Sequence, residues 1–158
     1  MHSEVALEQI NDLLAALGRR MALERLRLDS LGRCQLVVDH RWHVTLLASP
    51  VPGRLLLSCA VGAAGLAQRL DKDTLLAMLQ AGFLGAAVRG GHLAVDPEGR
   101  PCVQMELPLA GADIAALETC LLDLLACSRT WHRRIEEGPA LAAPAASTGS
   151  GAWLHRRI

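Results

Sequence analysis

Lysine is nearly missing from this chain: Lys72 stands alone among sixteen basic residues, and the other fifteen are arginine. Alanine, leucine, arginine and glycine are abundant, so the scarcity reads as the coding bias of a GC-rich genome and not as selection for arginine chemistry. Net charge is lacking too. Sixteen acidic residues balance the basic ones, and Met1 to Glu137 holds fourteen basic against sixteen acidic because Arg156 and Arg157 lie beyond it. With no block of like charge, nothing recruits nucleic acid or an anionic membrane surface. Five cysteines, Cys34, Cys59, Cys102, Cys120 and Cys127, include no C-x-x-C spacing. That excludes a zinc site and a disulfide scaffold and leaves small buried hydrophobes in a reducing compartment.

Segments that would direct the chain out of the cytoplasm are not found either. The stretch MHSEVALEQINDLL has acids where a secretory signal needs basic residues, and its apolar positions recur helically instead of running on. No apolar run reaches the length of about 18 residues that spans a bilayer. A soluble cytoplasmic protein without membrane insertion is expected. Reactive motifs are equally scarce. Gly82, Gly85, Gly90 and Gly91 fit neither phosphate-binding glycine pattern. Ser58 beside Cys59 has no nucleophile elbow around it. His40 and His43 are three apart in an extended stretch, where side chains diverge, so they read as turn residues and not as a metal pair. Asp71 and Asp73 read as helix-capping groups, and Trp131-His132-Arg133-Arg134, followed by Glu136 and Glu137, as a solvated helix end. No enzyme, cofactor or metal is called for.

What the chain does contain is apolar periodicity. Leu7, Ile10, Leu13, Leu14 and Leu17 recur at three and four, predicting a first helix that Ser3 caps and Gly18 ends. From Cys34 the period becomes two. Cys34, Leu36 and Val38, then Trp42, Val44 and Leu46, share one face of a hairpin turning near His40, and Arg54 to Val61 forms a third strand apolar on both sides, hence central. Asp71 opens a second helix with Leu75, Met78, Leu79 and Phe83 on its apolar side and Gly82 as a left-handed end. Asp96-Pro97-Glu98-Gly99 has the residue preferences of a type I turn between two further strands. Asp113 caps a long third helix buried along Ile114, Leu117, Leu121, Leu124, Leu125 and Trp131. The order is helix, three strands, helix, two strands, helix: an α+β fold with a twisted, mostly antiparallel sheet covered by helices. Residues 1–137 form the domain, and 138–158, rich in Ala, Pro, Gly and Ser, read as a disordered tail. Three helices cannot cover both faces of five strands, so Val37, Leu47 and Leu56 on the second face predict a partner there.

Several phrases of this succession resemble the Tir chaperone (CesT-like) family, the class I effector chaperones of type III secretion. They are the leucine-rich helix ending at Leu17-Gly18, Gly32 to Asp39, Leu79 to Gly85, Gly91 to Arg100, and the last helix carrying Trp131. The resemblance covers about residues 3–137. It implies a bacterial cytoplasmic homodimer joined through the second helix and its neighbouring strand, at Leu75, Met78, Leu79, Phe83, Leu93 and Val95. It further implies that the dimer binds an extended segment near the amino terminus of a secreted effector protein and keeps it ready for export. Leu13 and Leu17 beside the first helix, and Val37, Leu47 and Leu56 on the sheet, are the expected effector contacts. The alternative is a dimeric adaptor or regulator whose partner is a folded protein.

Overall fold

A computed structural model describes residues 2–83 and 88–137 of the chain. The first helix, α1, spans His2–Met21 and buries Ile10, Leu13, Leu14 and Leu17. It begins one residue ahead of Ser3 and runs past Gly18, so neither residue bounds it as expected. Gly18 serves close approach: a Cβ there would lie 2.9 Å from the carbonyl oxygen of Leu23, whose amide donates to the Gly18 carbonyl at 2.9 Å. The helix stops where Ala22 takes a φ of 53°, the left-handed turn that terminates helices.

The strands are β1 Arg33–Val38, β2 Trp42–Ala48, β3 Arg54–Ala60, β4 His92–Val95 and β5 Pro101–Pro108. They form one sheet in the order β1-β2-β3-β5-β4, antiparallel at every pair. β3 is central, as its two apolar faces predict. Asp39 and His40 both have positive φ, the twist a tight hairpin needs, and the Arg41 amide closes the β1–β2 turn on the Val38 carbonyl at 3.1 Å. In the β4–β5 turn the Gly99 amide donates to the Asp96 carbonyl at 2.9 Å, and Gly99 sits at φ 74°, which a residue with a Cβ adopts only under strain. The Asp-Pro-Glu-Gly reading holds.

Helix α2, Lys72–Ala81, follows Asp71, whose carboxylate accepts from the Thr74 amide. Those bonds hold the Asp71 carboxyl below its ordinary range. Gly82 departs from expectation: at φ −70° and ψ −16° it remains right-handed, so the chain leaves this helix without a left-handed cap. Helix α3, Ile114–Glu137, is capped by Asp113, which accepts from the Ala116 amide at 2.8 Å.

All three helices contribute to one core with the inner face of the sheet. Leu117, Leu121, Leu124, Leu125 and Trp131 of α3 meet Leu55, Leu57 and Cys59 of β3 and Val103, Met105 and Leu107 of β5. Leu84 and Gly85, part of the family-like phrase, and the tail 138–158 lie outside the described residues.

Candidate partner-binding surfaces

The outward side of α2 is the first surface. Leu76, Leu79 and Phe83 recur at three and four and so fall on one stripe. Leu79 and Phe83 are 77% and 76% exposed, Leu76 and nearby Val95 each 47%. Phe83 is the only phenylalanine in the chain. An aromatic of that size gains most from burial, yet it is among the most exposed apolar side chains. The opposite stripe, Thr74, Met78 and Ala81, turns inward.

The six positions expected at a dimer seam therefore divide. Leu79, Phe83 and Val95 are exposed. Met78 is buried in its own subunit's core, and Leu75 and Leu93 are half-buried against it. Leu76 was missed, because apolar residues surround much of this short helix and the sequence does not say which side faces in. Its three-residue spacing from Leu79 was the available signal.

The second surface is the sheet face away from the helices. The strand registers place side chains on it in straight rows. One row reads Gln35, Thr45, Ser58, Gln104 and His92, each directly opposite the next. Within it His92 Nε2 lies 3.0 Å from Gln104 Oε1, and Gln104 Nε2 lies 3.5 Å from Ser58 Oγ. The adjacent row is Arg33, Leu47, Leu56 and Glu106, with Glu106 bonded to Arg54 at 2.5 Å. On the other side stand Val37 opposite His43, and Ala60 opposite Cys102.

Small residues at the centre leave a shallow groove of about 280 Å³, floored by Ser58, Ala60 and Cys102 and walled by Val37, His43, Asp96 and Arg100. Burial alone would raise the Asp96 carboxyl, but hydrogen bonds from the Arg100 amide and guanidinium outweigh it and hold the group below the usual carboxylate range. The two side chains meet at 2.6 Å, so one groove wall carries a fixed ion pair.

The expected contacts again divide. Val37 is exposed, and Leu47 and Leu56 are half-buried, all on this face. Leu13 and Leu17 are not on any surface: both belong to the core. The physical reason is the phase of α1, which turns the Ile10–Leu14–Leu17 stripe onto the sheet and α3. What α1 does offer is a hollow of about 310 Å³ lined by Ala6, Leu7, Ile10, Pro50, Pro52 and Gly53, with no charged side chain on its helix wall.

Among the described residues no group of three or more His, Cys, Asp or Glu is placed to hold a metal ion. Burial pushes the Cys34, Cys59, Cys102 and Cys127 thiols up and Cys120 to about 11, away from the reactive thiolate. Among the described residues no helix is long and apolar enough to cross a membrane.

Comparison with known proteins follows the same outline. The model of the Tir chaperone protein (CesT) family matches residues 12–132. Among solved structures, a chain of the ExsC–ExsE complex is 25% identical with a TM-score of 0.71, over 82% of this chain and 95% of that one. A chain of the HopA1–SchA chaperone–effector complex is 24% identical with a TM-score of 0.65, over 79% of this chain and 94% of that one. The structure of the Yersinia pestis type III secretion chaperone SycH with a fragment of YscM2 gives 19% identity and a TM-score of 0.59, over 77% and 98%. At the last two identities the likeness is one of fold. No curated protein sequence matches significantly.

Proposed function

The chain belongs to the Tir chaperone (CesT) family, and from that premise we propose that it is a non-enzymatic, cytoplasmic chaperone of a bacterial type III secretion system. It binds an extended segment near the amino terminus of a secreted effector and keeps that segment export-competent. The observation that carries this reading is the uncovered sheet face, where Val37, Leu47 and Leu56 and a central groove stay open although the core on the other side is complete. An extended segment is the fitting occupant. Its main chain and alternating side chains meet a pleated surface whose own side chains stand in rows.

Two copies join through α2, with Leu76, Leu79, Phe83 and Val95 in the seam. The exposure of Leu76, Leu79, Phe83 and Val95, four large apolar residues, supports this pairing. Ordering a flexible segment is costly, so a broad surface held by a preformed scaffold offsets that cost.

The experiment is capture from the native bacterium with the tagged full chain, followed by limited proteolysis of what comes along. A bound segment that resists protease yet folds into no domain of its own is expected. A partner held only through a folded domain would replace this reading with that of an adaptor.

A further inference from the structure

Two motifs rich in histidine, arginine and tryptophan meet at one corner of the molecule. His40-Arg41-Trp42-His43 makes the β1–β2 turn and the start of β2, and Trp131-His132-Arg133-Arg134 lies in the last turns of α3. His132 stands between them. Its Nδ1 is 3.0 Å from the Val61 carbonyl oxygen, and a carbonyl only accepts, so Nδ1 carries a proton. Its Nε2 has two neighbours with opposite demands. The guanidinium of Arg41, in hydrogen-bond contact with Nε2, can only donate. The carboxylate of Glu136, 3.0 Å from the same nitrogen, can only accept. A neutral ring accepts a hydrogen bond from Arg41 into its Nε2 lone pair and has nothing to donate to Glu136. A protonated ring donates to Glu136 and faces Arg41 as one cation faces another.

We propose that His132 is a pH-operated latch on the β1–β2 hairpin. The neutral ring ties Arg41, and with it the turn, to α3; the protonated ring exchanges that link between elements for one inside α3, to Glu136 a helical turn away. The elements packed against the ring carry the other charges. The turn presents Arg41, His40 and Asp39, the last held by Arg129 of α3 at 2.8 Å. The loop after β3 presents the Val61 carbonyl. From β2 the Trp42 ring stands edge-on with centroids 5.5 Å apart, and Arg41 also lies over that indole at 5.1 Å. On α3, Arg134 is turned onto Trp131 at 5.0 Å, while Arg133 and Glu137 are exposed. The Asp39–Arg129 bond persists in both states, so protonation loosens the tip of the hairpin without detaching it.

The corner touches the binding face. Val37 and His43 pair beside the turn, and both wall the groove. Histidine is the side chain whose ordinary charge change falls between pH 5 and 8.

The test is hydrogen exchange at the Arg41 amide in the full-length protein, at pH 7.5 and pH 5.5 with intrinsic rates removed, with the His132 ring followed by NMR. In the wild type, protection falls roughly threefold or more at the lower pH, in step with the ring's titration. His132→Gln, which cannot titrate, shows equal protection at both. Arg41→Met moves the ring's midpoint up and Glu136→Gln moves it down, a pair of opposite shifts readable even if His132→Gln folds poorly. Equal protection at both pH values in the wild type overturns the latch, as does a fall that survives in His132→Gln or a ring midpoint indifferent to both neighbouring substitutions.

Discussion

The outward side of α2 and the far face of the sheet are both left uncovered, and they are built from different residues. The helix presents Leu76, Leu79 and Phe83 with Val95 close by. The sheet presents an unbroken polar row, Gln35 to His92, between rows that hold Val37, Leu47 and Leu56. Interfaces that never come apart resemble a core cut in half, whereas those that form and dissolve are about as polar as the rest of the surface and carry bridging water. By that measure α2 suits a second copy of the chain, and the sheet suits an occupant that must leave. Export requires the second property: a segment held only by large apolar contacts would be released slowly, since affinity among related interfaces is tuned mainly through the off-rate.

The contrast breaks most visibly at α2. A carboxylate placed in an apolar seam costs several kcal/mol or more, so Leu79→Asp or Phe83→Asp should yield monomer or aggregate. Light scattering would then give a mass near 16.9 kDa in place of twice that value; a dimer of unchanged mass in both variants would sink the seam. The next largest effect belongs to neither surface. Leu17→Ala removes a fully buried side chain and should cost about 2–5 kcal/mol of folding stability, read as a lower midpoint in denaturant. If Leu17 were instead an effector contact, its truncation would weaken capture of the effector and leave that midpoint in place.

Leu17 shows why the binding surfaces were less legible than the fold. Element order, the central place of β3, the Asp71 and Asp113 caps and the Asp96–Gly99 turn all follow from local chemistry: period, propensity and side-chain-to-backbone bonds within four residues. A surface depends on what is left over after packing. Leu13, Leu17 and Met78 have the same leucine-rich periodicity as residues that stay exposed, and only the phase of each helix against the sheet separates them. The polar row was hidden for a related reason. Gln35, Thr45, Ser58, Gln104 and His92 are far apart in sequence and become neighbours through four strand registers. Gly18 and Gly82 misled in the other direction, since glycine marks close approach as well as termination; at Gly18 the first purpose governs.

On the sheet face the expected losses are smaller and leave the dimer whole. Val37→Asp or Leu47→Asp puts a charge on a half-open surface where water still reaches it, so effector affinity should fall by roughly tenfold to a hundredfold, about 1.4–3 kcal/mol. Dimer mass should not change. Full-yield capture of the effector by both variants would remove this face from the binding site. Gln104→Ala should cost less, roughly 1 kcal/mol of affinity, because it empties one place in a row whose other members stay, and isothermal titration with the captured segment would resolve it.

The smallest effect tests how far the α2 seam extends. Cys120 lies on the side of α3 shared with Asp123, whose carboxylate bonds Arg89, beyond α2 in the chain, at 2.9 Å, so a seam that extended onto α3 there would shield its thiol. The Cys120 thiol is already pushed up to about 11 by burial within its own subunit, with Asp123 adding to the rise. At pH 7.5 only about one molecule in a few thousand would then carry the reactive thiolate. Alkylation by iodoacetamide should therefore be slow in the wild-type dimer and equally slow in the Leu79→Asp monomer, with fast labelling only after denaturation. A rate that rises on monomerisation alone would mean that the permanent interface covers the Cys120 side of α3 as well as α2.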